Sequence, residues 1–502
     1  MKNYKYIGLF LLSLGVISCD VNNDLDPILE EAEPVVQLNT NGLDFSSYVA
    51  VGASFTAGFT DNALFIKGQE NSFPNILAGK FSTDFSQPLM NDNIGGLLFG
   101  GNVIQGPRLY FNGAGPTPLQ ATPTTEVTNS VSGNLNNFGI PGAKSFHFVA
   151  EGYGNVQGVP LGLANPYFAR MASSSTATVL GDAMAQNPTF FTLSEIGGND
   201  VLGYALSGGS GVDQTGNLNP ATYGSSDITD PNVFASVFSN MVTALTSGGA
   251  KGVIANVPYI TNLAHFITVP YNPVPLDSGT AAQLNSQLLG PVIQILTALG
   301  QPDRIALLEA SSSNKLLLRD ENLVDFSAQI SGALQQAGVP AAQAQLMGSL
   351  YGQARHATSA DLFVLPLSSA IGTAQPGIPA PFNTVGVTYP LEDKWAITPE
   401  EQLAIKTATD AYNTTIAAVA SANPNVALVD FKGLLEQSAS GIAFDQYTLT
   451  TSLVTGGLVS LDGVHLTGRG YALMANKIMA AMDTKFGSNF TTATNGLAKA
   501  DD

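Results

Sequence analysis

The chain reads as an α/β fold built on a parallel sheet, and three stretches carry that reading. A helix that starts at Asp230-Pro231 is followed by an apolar run, Gly252 to Pro258. A second, starting at Thr398-Pro399, is followed by Asn425 to Asp430. Strands and helices alternate in this way when parallel strands are joined by crossover helices. The third stretch, Tyr48 to Val51, is a short apolar strand that stops at Gly52-Ala53-Ser54. Small residues there let the backbone turn sharply and leave the Ser54 hydroxyl at the strand end.

Composition narrows the classes. The 502 residues can bury one large core or two smaller ones. A hydrophobic content of 44% with 11% charged residues describes a folded chain. The net charge of −19 repels phosphate backbones, so nucleic acid is not an expected partner. The single cysteine, Cys19, excludes internal disulfides and cysteine-based metal sites. His147, His265, His356 and His465 are too scattered for a zinc helix. No metal and no cofactor is expected.

The first residues read as a targeting segment. Lys2 and Lys5 precede an apolar run, Ile7 to Ile17, that is short for a bilayer span. It ends at Val16-Ile17-Ser18-Cys19, which resembles a bacterial lipobox, with Cys19 lipidated and exposed as the mature N-terminus. A plain secretory signal with an incidental cysteine is the alternative. Residues 1–18 are then a signal peptide and 19–44 an acidic tether. The expectation is an exported lipoprotein held at the outer membrane, on its periplasmic or cell-surface side. Without Lys2 and Lys5 the balance is 17 basic against 38 acidic residues, or −21.

Past Gly58, residues 61–80 read as a loop and then a helix. Residues 81–136 are rich in Gly, Asn, Pro and Thr and read as irregular structure over the surface. Asn137 to Ala143, with Gly139 and Gly142, reads as a tight turn before a helix through Phe146 and Phe148. Thr189 to Ile196 is a strand that ends at Gly197-Gly198-Asn199-Asp200. Residues 203–219 form a Gly/Ser/Asn loop. Phe234, Val237, Phe238, Met241 and Leu245 fall at helical spacing, and Gly248-Gly249 closes that helix.

Residues 266–396 read as a mostly helical insertion and a candidate lid. Ala281–Leu299 and Ala328–Tyr351 look helical, and Asp361 to Leu367 looks like a strand or buried loop. His356 and Asp361 read as parts of a solvated loop, and Trp395 as a packing residue or an exposed aromatic. Thr398-Pro399-Glu400-Glu401 is a capped helix start. Ile405, Ala408, Tyr412, Ile416 and Val419 give that helix one apolar stripe. A final helix runs through Met482, and 486–502 is a C-terminal tail.

Asp462 and His465 stand three apart around Gly463. That spacing lets the carboxylate fold back onto the imidazole and fix its tautomer, leaving the other nitrogen free to take a proton from a serine. A helix-capping aspartate beside a surface histidine would give the same pattern.

Four blocks then occur in order: Gly52-Ala53-Ser54, Asn137 to Gly142, Gly197-Gly198-Asn199-Asp200, and Asp462-Gly463-Val464-His465. Together they resemble the SGNH hydrolases, or GDSL esterases and lipases, loosely over residues 45–265 and 397–485. The resemblance implies a three-layer, flavodoxin-like α/β/α sandwich over 45–485. It implies hydrolysis of a carboxylic ester, small or carried on a glycan or lipid. Ser54 would be the nucleophile, His465 the general base and Asp462 its orienting partner. An oxyanion hole would come from the N–H groups of Ser54 and Gly142 and the Asn199 side chain. The family's aspartate before the serine is Ala53 here, so a catalytically degenerate binding lipoprotein on the same scaffold is the alternative. Glu195 and Asp200 read as supports for Asn199. Phe55, Phe59, Leu64 and Phe65 read as an apolar mouth or as core. Ser54 lacks the GxSxG elbow of the α/β-hydrolases.

Overall fold

A computed structural model of the chain describes residues 35–500. The expected signal peptide, Cys19 and most of the expected tether lie outside the described residues. Of the two units into which the chain divides, Leu38–Asp502 carries every element below.

Five parallel strands form the sheet: β1 (Tyr48–Gly52), β2 (Asn137–Gly139), β3 (Phe190–Ser194), β4 (Lys251–Ala255) and β5 (Val426–Val429). Their spatial order is β5-β4-β3-β1-β2. Ala50 pairs with Asn137, Gly52 with Ser194, Leu193 with Ile254 and Ala255 with Val429. The order reverses between β1 and β3, the switch point at which such sheets open a crevice beyond their carboxyl ends. The helices that position the site are α1 (Ser54–Ala57), α2 (Phe73–Phe81), α3 (Asn199–Leu206), α4 (Pro231–Thr246), α5 (Pro399–Ala422) and α6 (Gly468–Phe486).

Alternation along the strands sorts the core. Val49, Val51, Phe191, Leu193 and Ile254 share one cluster with Phe234, Phe238 and Met241 of α4 and with Ile405, Tyr412 and Ile416 of α5. Tyr48, Ala50, Phe190, Val253 and Ala255 share another with Phe73 and Leu77 of α2 and with Tyr471, Met474 and Ile478 of α6. Both middle helices start as their sequences predict. Asp230 accepts from the N–H groups of Asn232 and Val233, with Pro231 in the first turn. Thr398 and Glu401 form a reciprocal capping box.

Several expectations need correction. Asn137–Gly139 is an edge strand, not a turn, because β1 supplies its pairing partner. The following helix is a 3₁₀ turn, Ser145–Val149. Residues 81–136 include two antiparallel ribbons, Leu97–Phe99 with Asn102–Gln105 and Leu109–Phe111 with Pro116–Pro118, and they bury Leu97 and Val127. The C-terminal tail is packed: Phe490 is fully buried beside Phe45 and Phe81. Asn39 donates through its backbone N–H to Asn489 Oδ1 at 2.7 Å, so the last residues of the tether are tied to that tail.

The 266–396 insertion has a hydrophobic core of its own around Leu288, Leu317, Ile330, Tyr351 and Phe363, and Trp395 packs against both this core and that of α4 and α5. Its long helical run breaks at 337–340, between Ser327–Gln336 and Ala341–Tyr351. His356 and Asp361 are buried and not solvated. Arg355 joins Asp361 at 2.7 Å to Asp320 at 2.6 Å. No helix among the described residues is long and apolar enough to cross a membrane.

Candidate active site

Ser54 is the first residue of α1, at the carboxyl end of β1. Gly52 is required there, because a Cβ would stand 2.2 Å from Thr56 Oγ1 and 2.6 Å from Glu195 Oε2. The Ser54 N–H donates to no acceptor among the described residues, and neither does the Gly142 N–H. Gly142 holds a φ of +79°, the left-handed region where glycine is unstrained.

Two loops bring these donors together. Asn199 opens α3 just past β3, and its Nδ2 donates to the Ala143 carbonyl at 2.9 Å. Its neighbour Asp200, fully buried, accepts from Ser145 N at 2.9 Å and Ser145 Oγ at 2.6 Å. The Gly142 loop is thus lashed to the start of α3, and one Asn199 bond orients the amide. Asn137 secures the serine turn by donating to the Thr56 carbonyl at 2.9 Å.

Asp462 and His465 arrive from the far end of the chain. Asp462 Oδ2 lies 2.9 Å from His465 Nδ1. An ionised carboxylate only accepts, so Nδ1 carries a hydrogen and, in the neutral ring, Nε2 is the nitrogen with the free lone pair. Asp462 takes four further donors: Val464 N and His465 N at 2.8 Å, Asn62 N at 2.8 Å and Ser460 Oγ at 3.2 Å. Burial opposes its charge, but the imidazole and these donors outweigh burial and hold the carboxyl well below its usual range. The loop docks on residues 59–62. Asp61 Oδ1 accepts from Leu461 N at 3.0 Å, and Tyr471 Oη donates to the Phe59 carbonyl at 2.5 Å. The His465 ring sits 4.5 Å from the Phe59 ring and 5.7 Å from that of Phe55, the residue after Ser54. Ser54 Oγ makes no hydrogen bond to His465 among the described residues.

Two side chains were not assigned these parts from the sequence. Glu195, expected to support Asn199, instead grips the serine turn. Its carboxylate accepts from Ala53 N at 2.6 Å and Thr56 Oγ1 at 2.9 Å. Burial pushes its carboxyl up to about 7 against those bonds. Its φ of +55° is unusual for a residue with a side chain. His265 braces the other partner: its N–H donates to the Gly463 carbonyl at 3.0 Å, and its Nδ1 lies 3.0 Å from the Asp462 carbonyl. A Cβ at Gly463 would stand 2.8 Å from His265 N, so the glycine between Asp462 and His465 is needed.

Beside Ser54 and Asn199 opens a pocket with about 920 Å³ of empty space, its mouth included. Its walls are mostly apolar and include Val257, Ile260, Leu263, Leu434, Leu458 and Met474. Phe55 lines it, whereas Phe59, Leu64 and Phe65 are core. No residue of 266–396 lines it. Set against protein-family profiles, curated proteins and solved structures, the chain matches none of them.

Proposed function

We propose that the chain is a serine ester hydrolase of the SGNH kind, with the three-layer, flavodoxin-like arrangement that goes with it. One observation carries the proposal. A part-buried Asp–His pair docks on the segment that follows a strand-end serine whose own N–H, like that of Gly142, has no acceptor among the described residues. Ser54 Oγ attacks the ester carbonyl and its proton passes to His465 Nε2. Asp462 keeps the proton on Nδ1 and stabilises the imidazolium. The N–H groups of Ser54 and Gly142 and the amide of Asn199 receive the negative oxygen. The alcohol leaves with the proton from His465, and water repeats the sequence on the acyl-enzyme with the same base. Apo hydrogen bonds of this kind often close only in the substrate complex, and here closure must bring His465 onto Ser54. The apolar pocket suits the acyl part of the ester. The departure at Ala53 leaves the turn held by Glu195. We further propose that Cys19 carries the lipid that anchors the enzyme to the outer membrane; Cys19→Ala should release the protein into the soluble fraction.

A fluorophosphonate probe should label Ser54. Ser54→Ala should lower p-nitrophenyl ester hydrolysis by at least ~10⁴-fold with the fold retained. The missing Ser54–His465 contact favours the rival reading, a binding lipoprotein without turnover. An unlabelled Ser54 and no ester cleavage by the intact chain would hand the site to that rival.

A further inference from the structure

Away from Ser54, one cluster of carboxylates forms no ion pair among the described residues. Glu321 follows the strand Leu317–Arg319 of the insertion, Asp393 opens the 3₁₀ turn Asp393–Trp395, and Glu401 stands in the first turn of α5. One carboxylate oxygen from each lies within 4.8 Å of the other two. Oxygens bound to one calcium ion sit about 2.3–2.6 Å from it, so a pair of ligands spans at most about 5 Å. None of the three forms an ion pair with a lysine or arginine among the described residues. Arg319, on the rim, donates to Gln353 at 3.3 Å.

Glu401 supplies the independent sign of a ligand. It is only 5% exposed. Its Oε2 accepts from Thr398 N at 2.6 Å and from Thr398 Oγ1 at 2.9 Å, while its buried Oε1 has no hydrogen-bond partner at all. A buried carboxylate oxygen without a donor is costly unless a cation meets it. Bare backbone closes in on the same oxygen: a Cβ at Gly209 would stand 1.9 Å from Glu401 Oε1, and one at Gly208 would stand 2.0 Å from the Asp393 carbonyl. Three acidic groups thus share one place, and the one cation among the described residues that bears on them, Arg319 at the rim of the cleft, forms an ion pair with none of them.

We propose that Glu321, Asp393 and Glu401 bind a hard divalent cation of the calcium class, which clips the insertion to the first turn of α5. Carboxylate oxygens are the ligands such ions prefer, and the open cleft over Ser210 and Glu392 admits water to complete the shell. The ion is structural, and the proposal does not depend on the ester-hydrolase reading.

The whole protein, stripped with EDTA, is titrated with terbium and excited through Trp395, the only tryptophan in the chain and two residues from Asp393. Sensitised emission should appear and calcium should displace it. Calcium at a hundred times its Kd should raise the midpoint of thermal unfolding by about 3 °C. The double variant Glu321→Gln, Asp393→Asn alters only exposed or half-buried side chains, should fold, and should lose both responses. Glu401→Gln should lose the emission as well. No emission and no calcium-dependent midpoint in the wild type, or unchanged responses in the double variant, would overturn the proposal.

Discussion

Two carboxylates hold the segment from Ala53 to Asn62, and their surroundings drive them apart. Asp462 faces an imidazole and four other donors and stays charged. Glu195 faces one backbone N–H and one hydroxyl, with no cation beside it, and burial pushes it up to about 7. Both stand at the same end of one sheet, and Asp462, the more buried of the two, is the one that stays charged, so the partner and not the depth decides the charge. Asp462 is placed to orient a base. Glu195 is placed to hold the turn that carries Ser54.

Separating the two roles starts with the larger effect. Asp462→Asn should lower kcat by about 10⁴-fold, since the amide cannot enforce the tautomer. It should also destabilise the fold by roughly 2–4 kcal/mol, because buried donors lose a charged acceptor. Steady-state kinetics and urea unfolding read these separately; a variant within tenfold of wild-type kcat would remove Asp462 from the mechanism. Asn199→Ala should cost about 10²–10³ in kcat with little change in KM, as expected of a donor that acts in the transition state. An effect on KM alone would move Asn199 out of the oxyanion hole.

The smallest effect is the sharpest test of the contrast, because the two acids should respond to pH in opposite senses. Asp462 sits below its unfolded value of 3.8, so its stabilisation is present above that pH and lost as pH falls. Glu195 moves from 4.5 to about 7, so the folded state holds the proton more tightly. Its contribution is complete below about 4.5 and is lost as pH rises through about 7. Relative to Glu195→Gln, the wild type should lose roughly 2–3 kcal/mol of stability across that window. A pH-independent difference between the two proteins would show that Glu195 is ionised throughout.

What the sequence discloses follows the range of the forces involved. β1, β3, β4 and β5 are apolar runs with local turn signals, and the caps at Asp230 and Thr398 are written within four residues. Asn137–Gly139 escaped because Phe138 alone favours a strand and stands between Asn and Gly, which do not; the backbone of β1 makes it a strand. Ser54, Asn199, Asp462 and His465 were legible as residue types in order. Glu195 was visible only as a carboxylate after a strand, and its grip on Ala53 spans 142 residues. The seat of the Asp462 loop on Asp61 and Asn62, 400 residues away, leaves no local trace. The insertion's separate core and the packed C-terminal segment were hidden for the same reason.

That seat also has a consequence in time. The platform at residues 59–62 is synthesised about 400 residues before the segment that rests on it, Leu461 through Tyr471. Through that interval a growing chain can display the Ser54 hydroxyl with no imidazole of residue 465 to set beside it. The pairing proposed for catalysis can form only after both pieces have been made.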